Sequence, residues 1–223
     1  MITLHHLENS RSQRILWLLE ELELPYEIRL YKRDRQSGLA PPELIDVHTL
    51  GKSPVIIDGN HTLAESGAII EYLAETYGDG RLAPPAGSHE RLQYRYWLHY
   101  AEGSLMPYLL LALVLRRIES APMPFFVRPV ARGIAGKVRA SFVGPNLDRH
   151  LAFVEQALAD SPWFAGAEIT GADIQMSFPL EAAAVRADRP DAYPKIRDFL
   201  ERIHRRPAYR RALEKGGPFR LPG

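Results

Sequence analysis

The first third of the chain switches between two hydrophobic periods. Ile2 and Leu4 alternate with Thr3 and His5, the period of a β-strand. Ile15, Leu18, Leu19 and Leu22 recur at i, i+3, i+4 and i+7, a single apolar stripe on a helix that ends near Leu24-Pro25. Tyr26 to Tyr31 alternates again. A strand, a helix and a strand in so few residues imply a parallel pair with a right-handed crossover. After a charged loop from Lys32 to Leu39, Pro41-Pro42-Glu43-Leu44 opens a short helix. Val55-Ile56-Ile57, the Asp58-Gly59-Asn60 turn and the run after it read as two paired strands, and Ile69, Ile70, Leu73 and Tyr77 give a closing helix its buried side. The predicted order is βαβαββα.

Composition then shifts. The ten residues from Gly78 to Gly87 hold five Gly or Pro, which marks a linker. The predicted division is 1–78, a linker over 79–87, and an all-helical part over 88–223. Long helical patterns run from about Ser88 to Ile118, Pro124 to Val143 and Pro145 to Leu158. Ile196, Phe199, Leu200 and Ile203 mark a late helix stopped by Pro207. Thr170-Gly171-Ala172-Asp173 reads as a capping box, with Ile169 and Ile174 as its hydrophobic staple; such a cap contributes about 0.5–2 kcal/mol.

Composition removes whole classes of function. With 223 residues, 46% of them hydrophobic, and no apolar run of about 18, the chain is expected to be globular without a membrane span. Lys plus Arg number 28 against 27 Asp plus Glu, so no field favours a nucleic acid or an anionic membrane. Met1-Ile2-Thr3-Leu4 opens a strand instead of a signal peptide, which makes the cytoplasm the expected compartment. Cysteine is absent, so no thiol of the chain can attack a substrate or ligate a metal. Any sulfur chemistry needs a molecule that brings the sulfur. The histidines lack metal spacing, and no Walker, G-x-G-x-x-G or G-x-S-x-G sequence occurs. The arginines from Arg202 to Arg211 read as a solvated helix face beside an interface.

One stretch carries candidate chemistry. Pro54 restricts Ser53 to extended conformations and allows a cis bond, which would turn Val55 outward and free its N–H and C=O to pair with a peptide-like ligand. Ten residues on, Glu65 and Ser66 stand at a helix start, where unpaired N–H groups and the helix dipole attract a carboxylate. Ser66 adds a hydroxyl donor, and Glu65 can take an ammonium. Each feature alone is an ordinary turn or cap. Their order and spacing make a cradle for an amino-acid head group.

Gly-Lys-Ser-Pro-Val followed by Glu-Ser-Gly-Ala-Ile resembles the glutathione-binding half of the soluble glutathione transferases. The linker, the Thr170–Asp173 box and Tyr193-Pro194…Arg206-Pro207-Ala208-Tyr209 follow in family order, so the resemblance covers nearly the whole chain. Asn9 to Arg14 and Ala40 to Leu44 are similar to a bacterial and fungal, GTT1-like, subgroup. The resemblance implies a thioredoxin-like α/β domain for glutathione, an all-α domain contributing the electrophile site, a homodimer, and glutathione as co-substrate with no metal.

It also implies residue roles. A thiol with a pKa of about 8.5 is mostly protonated at neutral pH, and lowering it by about two units takes about 2.7 kcal/mol. Serine-type transferases place a hydroxyl after the first strand, four residues ahead of an Arg; Ser10 before Arg14 matches, with Ser12 second. That loop holds no Tyr, and Met106-Pro107 stand where cysteine-type members carry His and Lys, so those two arrangements do not transfer. Glutathione is expected at Lys52, Ser53, Pro54, Val55, Glu65 and Ser66, with Lys52 meeting the glycyl carboxylate. Tyr100, Leu105, Met106 and Tyr108 on the long helix are the candidates for the second substrate's wall. The activity implied is a detoxifying glutathione S-transferase acting on a small apolar electrophile or a peroxide. The alternatives are a glutathione-dependent peroxidase or disulfide-bond reductase, and a non-catalytic ligand-binding or regulatory protein.

Overall fold

The computed structural model describes residues 1–34, 36–187, 192–217 and 219–221. Strands β1 (Ile2–Leu7) and β2 (Tyr26–Tyr31) run parallel, Ile2 opposite Tyr26 and Leu7 opposite Tyr31. Helix α1 (Ser12–Glu21) makes the crossover between them. After the short α2 (Glu43–Val47), β3 (Val55–Asp58) pairs antiparallel with β1, and β4 (His61–Ala64) pairs with β3. Helix α3 (Ser66–Tyr77) closes the unit. The sheet order is β2-β1-β3-β4, and the thioredoxin-like plan read from the two periods is the fold found.

Helix α1 departs from its predicted single stripe, because every residue from Ser12 to Glu20 is buried. It is covered on several sides, by β1, α3 and two helices of the second half, so its polar residues sit inside the protein. Those residues need partners there. They supply the site described below.

In the second half, α4 (His89–Tyr100) passes through a wide π turn at Ala101–Leu105 into α5 (Met106–Ser120). Helix α6 (Arg128–Val138) passes through another at Arg139–Val143 into α7 (Gly144–Asp160). Each wide turn ends two residues before a proline, Pro107 or Pro145. A proline ring clashes with the carbonyl four residues back and donates no N–H, and the widened turn absorbs both defects. The predicted break at Val143 is therefore absent, and the helix runs on.

Helix α8 (Gly171–Arg186) is buried along most of its length and packs on α1, α3, α4 and α5. Its capping box is formed. Thr170 Oγ1 accepts from Ala172 N–H at 3.2 Å, while the Asp173 carboxylate accepts from Thr170 N–H at 2.7 Å and Phe164 N–H at 2.8 Å. Burial pushes Asp173 up to about 6, against the pull of these donors.

Helices α9 (Pro194–His204) and α10 (Pro207–Gly216) end the described fold. Pro207 stops α9 as predicted, but it also opens α10, a position that suits its fixed φ and missing N–H. The basic residues here are not simply a solvated face. Arg206 makes a forked pair with Glu21 at 2.5 and 2.9 Å, while Arg211 and Lys215 reach Glu20 at 2.7 and 2.5 Å. They tie α10 to α1.

Candidate functional site

The Ser53–Pro54 peptide bond is cis. Ser53 Oγ donates to the His5 carbonyl at 2.8 Å and accepts from Leu7 N–H at 3.2 Å, which turns its side chain back onto β1. Its main-chain N–H and C=O pair with no backbone group among the described residues. Val55 is not turned outward as the sequence reading had it. Its side chain is fully buried, and it stands in register with His5 on one side and Ala64 on the other. A residue flanked by strands on both sides has its polar groups committed to a ladder. The open main-chain edge lies two residues earlier, at Ser53.

At the other end of the cradle Glu65 caps α3 with φ +70°. For a residue with a Cβ this left-handed conformation costs of order 1–3 kcal/mol and persists where surroundings enforce it. The conformation leaves Glu65 exposed at the mouth. Ser66 follows as the first residue of α3, its side chain buried and its hydroxyl accepting from Arg14 Nη2 at 2.8 Å. With Arg14 as donor, the Ser66 proton is left for a ligand.

Arg14 is the hub. It is fully buried on α1 and also donates to the Gln175 carbonyl of α8 at 2.6 Å and to the Glu102 carboxylate. Glu102 sits in the wide turn after α4 and takes Arg11 Nε at 3.0 and 3.1 Å. Burial works to raise Glu102, but Arg14 and Arg11 overcome it and hold its carboxyl below the usual range. Burial also lowers Arg14, against which Glu102 acts. One ion-pair network thus joins α1, α3, α8 and the turn between α4 and α5.

These groups enclose a cleft of about 210 Å³, lined by Arg11, Lys52, Ser53, Pro54, Glu65, Ser66 and Glu102 among others. Five of the six predicted glutathione-binding residues meet in it, and Val55 stands behind. Ser10 and Ser12 do not line it. Both are buried beneath, their hydroxyls 2.8 Å apart, while Arg11 between them reaches the opening. The predicted electrophile residues lie elsewhere. Tyr100, Leu105 and Met106 are buried in the main core, Tyr100 with its hydroxyl 2.6 Å from His150 Nδ1, and Tyr108 packs against the rings of Phe142 and His150. Aromatics and Met at helical spacing form core here. The sequence reading missed Arg14 and Glu102 as members of the site. Among the described residues no three His, Asp or Glu side chains gather as a metal site.

A thioredoxin-like sheet with an open edge beside a cis-proline, a strained helix cap and a helical half packed against it define a two-domain protein that binds a small peptide. Residues 1–75 match the profile for the glutathione S-transferase N-terminal domain, and residues 140–207 that for the C-terminal domain. The chain is 38% identical to glutathione S-transferase 3 of Schizosaccharomyces pombe, over 96% of this chain and 88% of that one. It is 35% identical to glutathione S-transferase 1 of Saccharomyces cerevisiae, over 96% and 95%. The crystal structure of a glutathione S-transferase from Actinobacillus pleuropneumoniae superposes with a TM-score of 0.82 at 37% identity, over 97% of this chain and 93% of that one. The chain belongs to the glutathione S-transferase family, within its GTT1-like subgroup. Glutathione is its co-substrate.

Proposed function

We propose that the cleft holds glutathione by its two charged ends and its central backbone, and that the chain promotes attack of the glutathione thiolate on an electrophilic carbon. The first N–H groups of α3 and the Ser66 hydroxyl take the γ-glutamyl carboxylate, and Glu65 takes the adjacent ammonium. The open N–H and C=O of Ser53 pair with the cysteinyl residue in the manner of an added strand. Lys52 meets the glycyl carboxylate. This places the sulfur toward the start of α1, where Ser10 donates to the thiolate and the helix N-terminus favours its charge.

The observation that carries this reading is the Glu65–Ser66 step. A strained cap and a buried hydroxyl, the hydroxyl held by a buried arginine that leaves its proton available, both face the same opening. The reading extends to a homodimer in the cytoplasm, supported by apolar residues left exposed on α4 and α7, among them Leu92, Tyr96 and Phe153. Its expected substrates are small apolar electrophiles, as in detoxification.

Calorimetric titration with glutathione tests the site. One molecule should bind per chain, and Ser66→Ala should weaken binding by about 1–3 kcal/mol through the lost charge-assisted hydrogen bond. Absence of binding, or equal binding by the variant, contradicts the placement.

A further inference from the structure

Beneath the cleft Ser10 heads a line of three buried polar side chains, of which the binding scheme leaves Ser12 and His6 unused. Ser10 Oγ is 2.8 Å from Ser12 Oγ, and Ser12 Oγ is 2.9 Å from His6 Nδ1. All three residues are buried. The line is fixed at each step. Ser12 N–H donates to Ser10 Oγ at 3.2 Å, and Leu7 N–H donates to both Ser12 Oγ and Ser53 Oγ at 3.2 Å. A single amide thus ties the line to the loop that forms the cleft wall. On the far side α10 closes over the imidazole, where a Cβ added to Gly216 would lie 3.1 Å from His6 Nε2.

Counting hydrogens gives the line a direction. The Ser12 hydroxyl has two acceptors in reach, His6 Nδ1 at 2.9 Å and the Leu7 carbonyl at 3.2 Å. With His6 neutral and its Nε2–H toward the Gly216 main chain, the nearer, bare Nδ1 takes the Ser12 proton, and Ser12 Oγ takes that of Ser10. The Ser10 hydroxyl then points inward and offers nothing to a thiolate. A proton entering at Ser10 reverses every bond in the line.

We propose that His6 is the final proton acceptor of a Ser10–Ser12–His6 relay that takes the thiol proton of bound glutathione. This rests on the reading of Ser10 given above. The S–H bond breaks and sulfur keeps its electron pair. The proton bonds to Ser10 Oγ, the proton of Ser10 passes to Ser12 Oγ, and that of Ser12 passes to His6 Nδ1. The products are a thiolate, an imidazolium and two neutral serines, with the Ser10 hydroxyl now donating to sulfur. Burial lowers His6, partly offset by the main chain of Gly216 and Ser12, so the free protein keeps it neutral. The groups that face the ring are the Ser12 hydroxyl and main chain from α1 and the Gly216 main chain from α10, none of them charged. A thiolate at the other end of the relay supplies the opposite charge that the imidazolium needs.

Proton counting tests the relay. Calorimetry at pH 7 in two buffers of different ionisation enthalpy gives protons released per glutathione bound, and ultraviolet absorbance gives thiolate formed. S-methylglutathione, which has no thiol proton, supplies the background. The wild-type protein should form thiolate while releasing well under one proton for each. In His6→Asn, and independently in Ser12→Ala, either the thiolate is lost or each thiolate releases a full proton. One proton per thiolate in the wild type, or an unchanged count in both variants, overturns the relay and leaves the serine site standing. Binding with no thiolate overturns the relay and the serine site together.

Discussion

Arg14 and Ser66, 52 positions apart, meet at 2.8 Å where α1 crosses the start of α3. The guanidinium holds the one hydroxyl at the start of α3 and its two terminal nitrogens also donate to Gln175 and Glu102, while its Nε–H has no hydrogen-bond partner among the described residues. This one buried side chain therefore links the ligand cleft to two elements of the helical half, beside the Arg11–Glu102 pair.

Arg14→Met should leave Glu102 with Arg11 as its remaining guanidinium and the Ser66 hydroxyl unheld. Removing one partner of a buried ion pair costs about 3–5 kcal/mol, read by urea unfolding. Adding Glu102→Leu should recover part of that loss, since the uncompensated charge is gone. A single substitution with no effect on the unfolding midpoint would contradict the network.

Glu65→Gly separates stability from binding. Glycine adopts φ +70° without strain, so the variant should gain about 1 kcal/mol after its larger unfolded-state entropy is subtracted. It should also lose at least about tenfold in glutathione affinity with the ammonium's partner gone. Thermal unfolding and calorimetry on the same samples check both, and the account requires opposite signs.

Acid should loosen α10 from α1. Burial works to raise Glu20, but Lys215, Tyr26 and Arg211 overcome it and hold its carboxyl below its ordinary 4.5. A depressed folded pKa contributes stability that is present above the unfolded value and lost as pH falls through the folded one. The Tm of wild type should exceed that of Glu20→Gln at neutral pH, and the gap should close below the carboxylate range. A gap that persists in acid would place the contribution in packing instead.

Much of this was legible in the sequence for local reasons. The βαβαββα order follows from alternation and from one i, i+3, i+4 stripe, and the cleft's outer wall lies within fifteen residues, from Lys52 to Ser66. The inner wall was hidden because it is tertiary: Arg14 and Glu102 are 88 positions apart and meet only when α1 is enclosed. A signal did exist, since Arg14 precedes Ile15, Leu16 and Trp17 in a helix too apolar to leave it solvated. Pro145 and Pro207 were read as breaks, yet each opens a helix, and Pro107, inside a pattern read as continuous from Ser88 to Ile118, also opens one after a wide turn. Tyr100, Leu105 and Met106 were drawn toward the second substrate by their type, whereas the helix face they occupy turns into the core.

The central claim is that this fold lowers the pKa of a bound thiol through Ser10. A pH titration of the thiolate ultraviolet band, with the protein saturated in glutathione, tests it most directly. The wild-type midpoint should lie well below the free-thiol value of about 8.5, and Ser10→Ala should move it most of the way back. A wild-type midpoint at the free-thiol value, or a low midpoint unchanged in Ser10→Ala, would contradict the account.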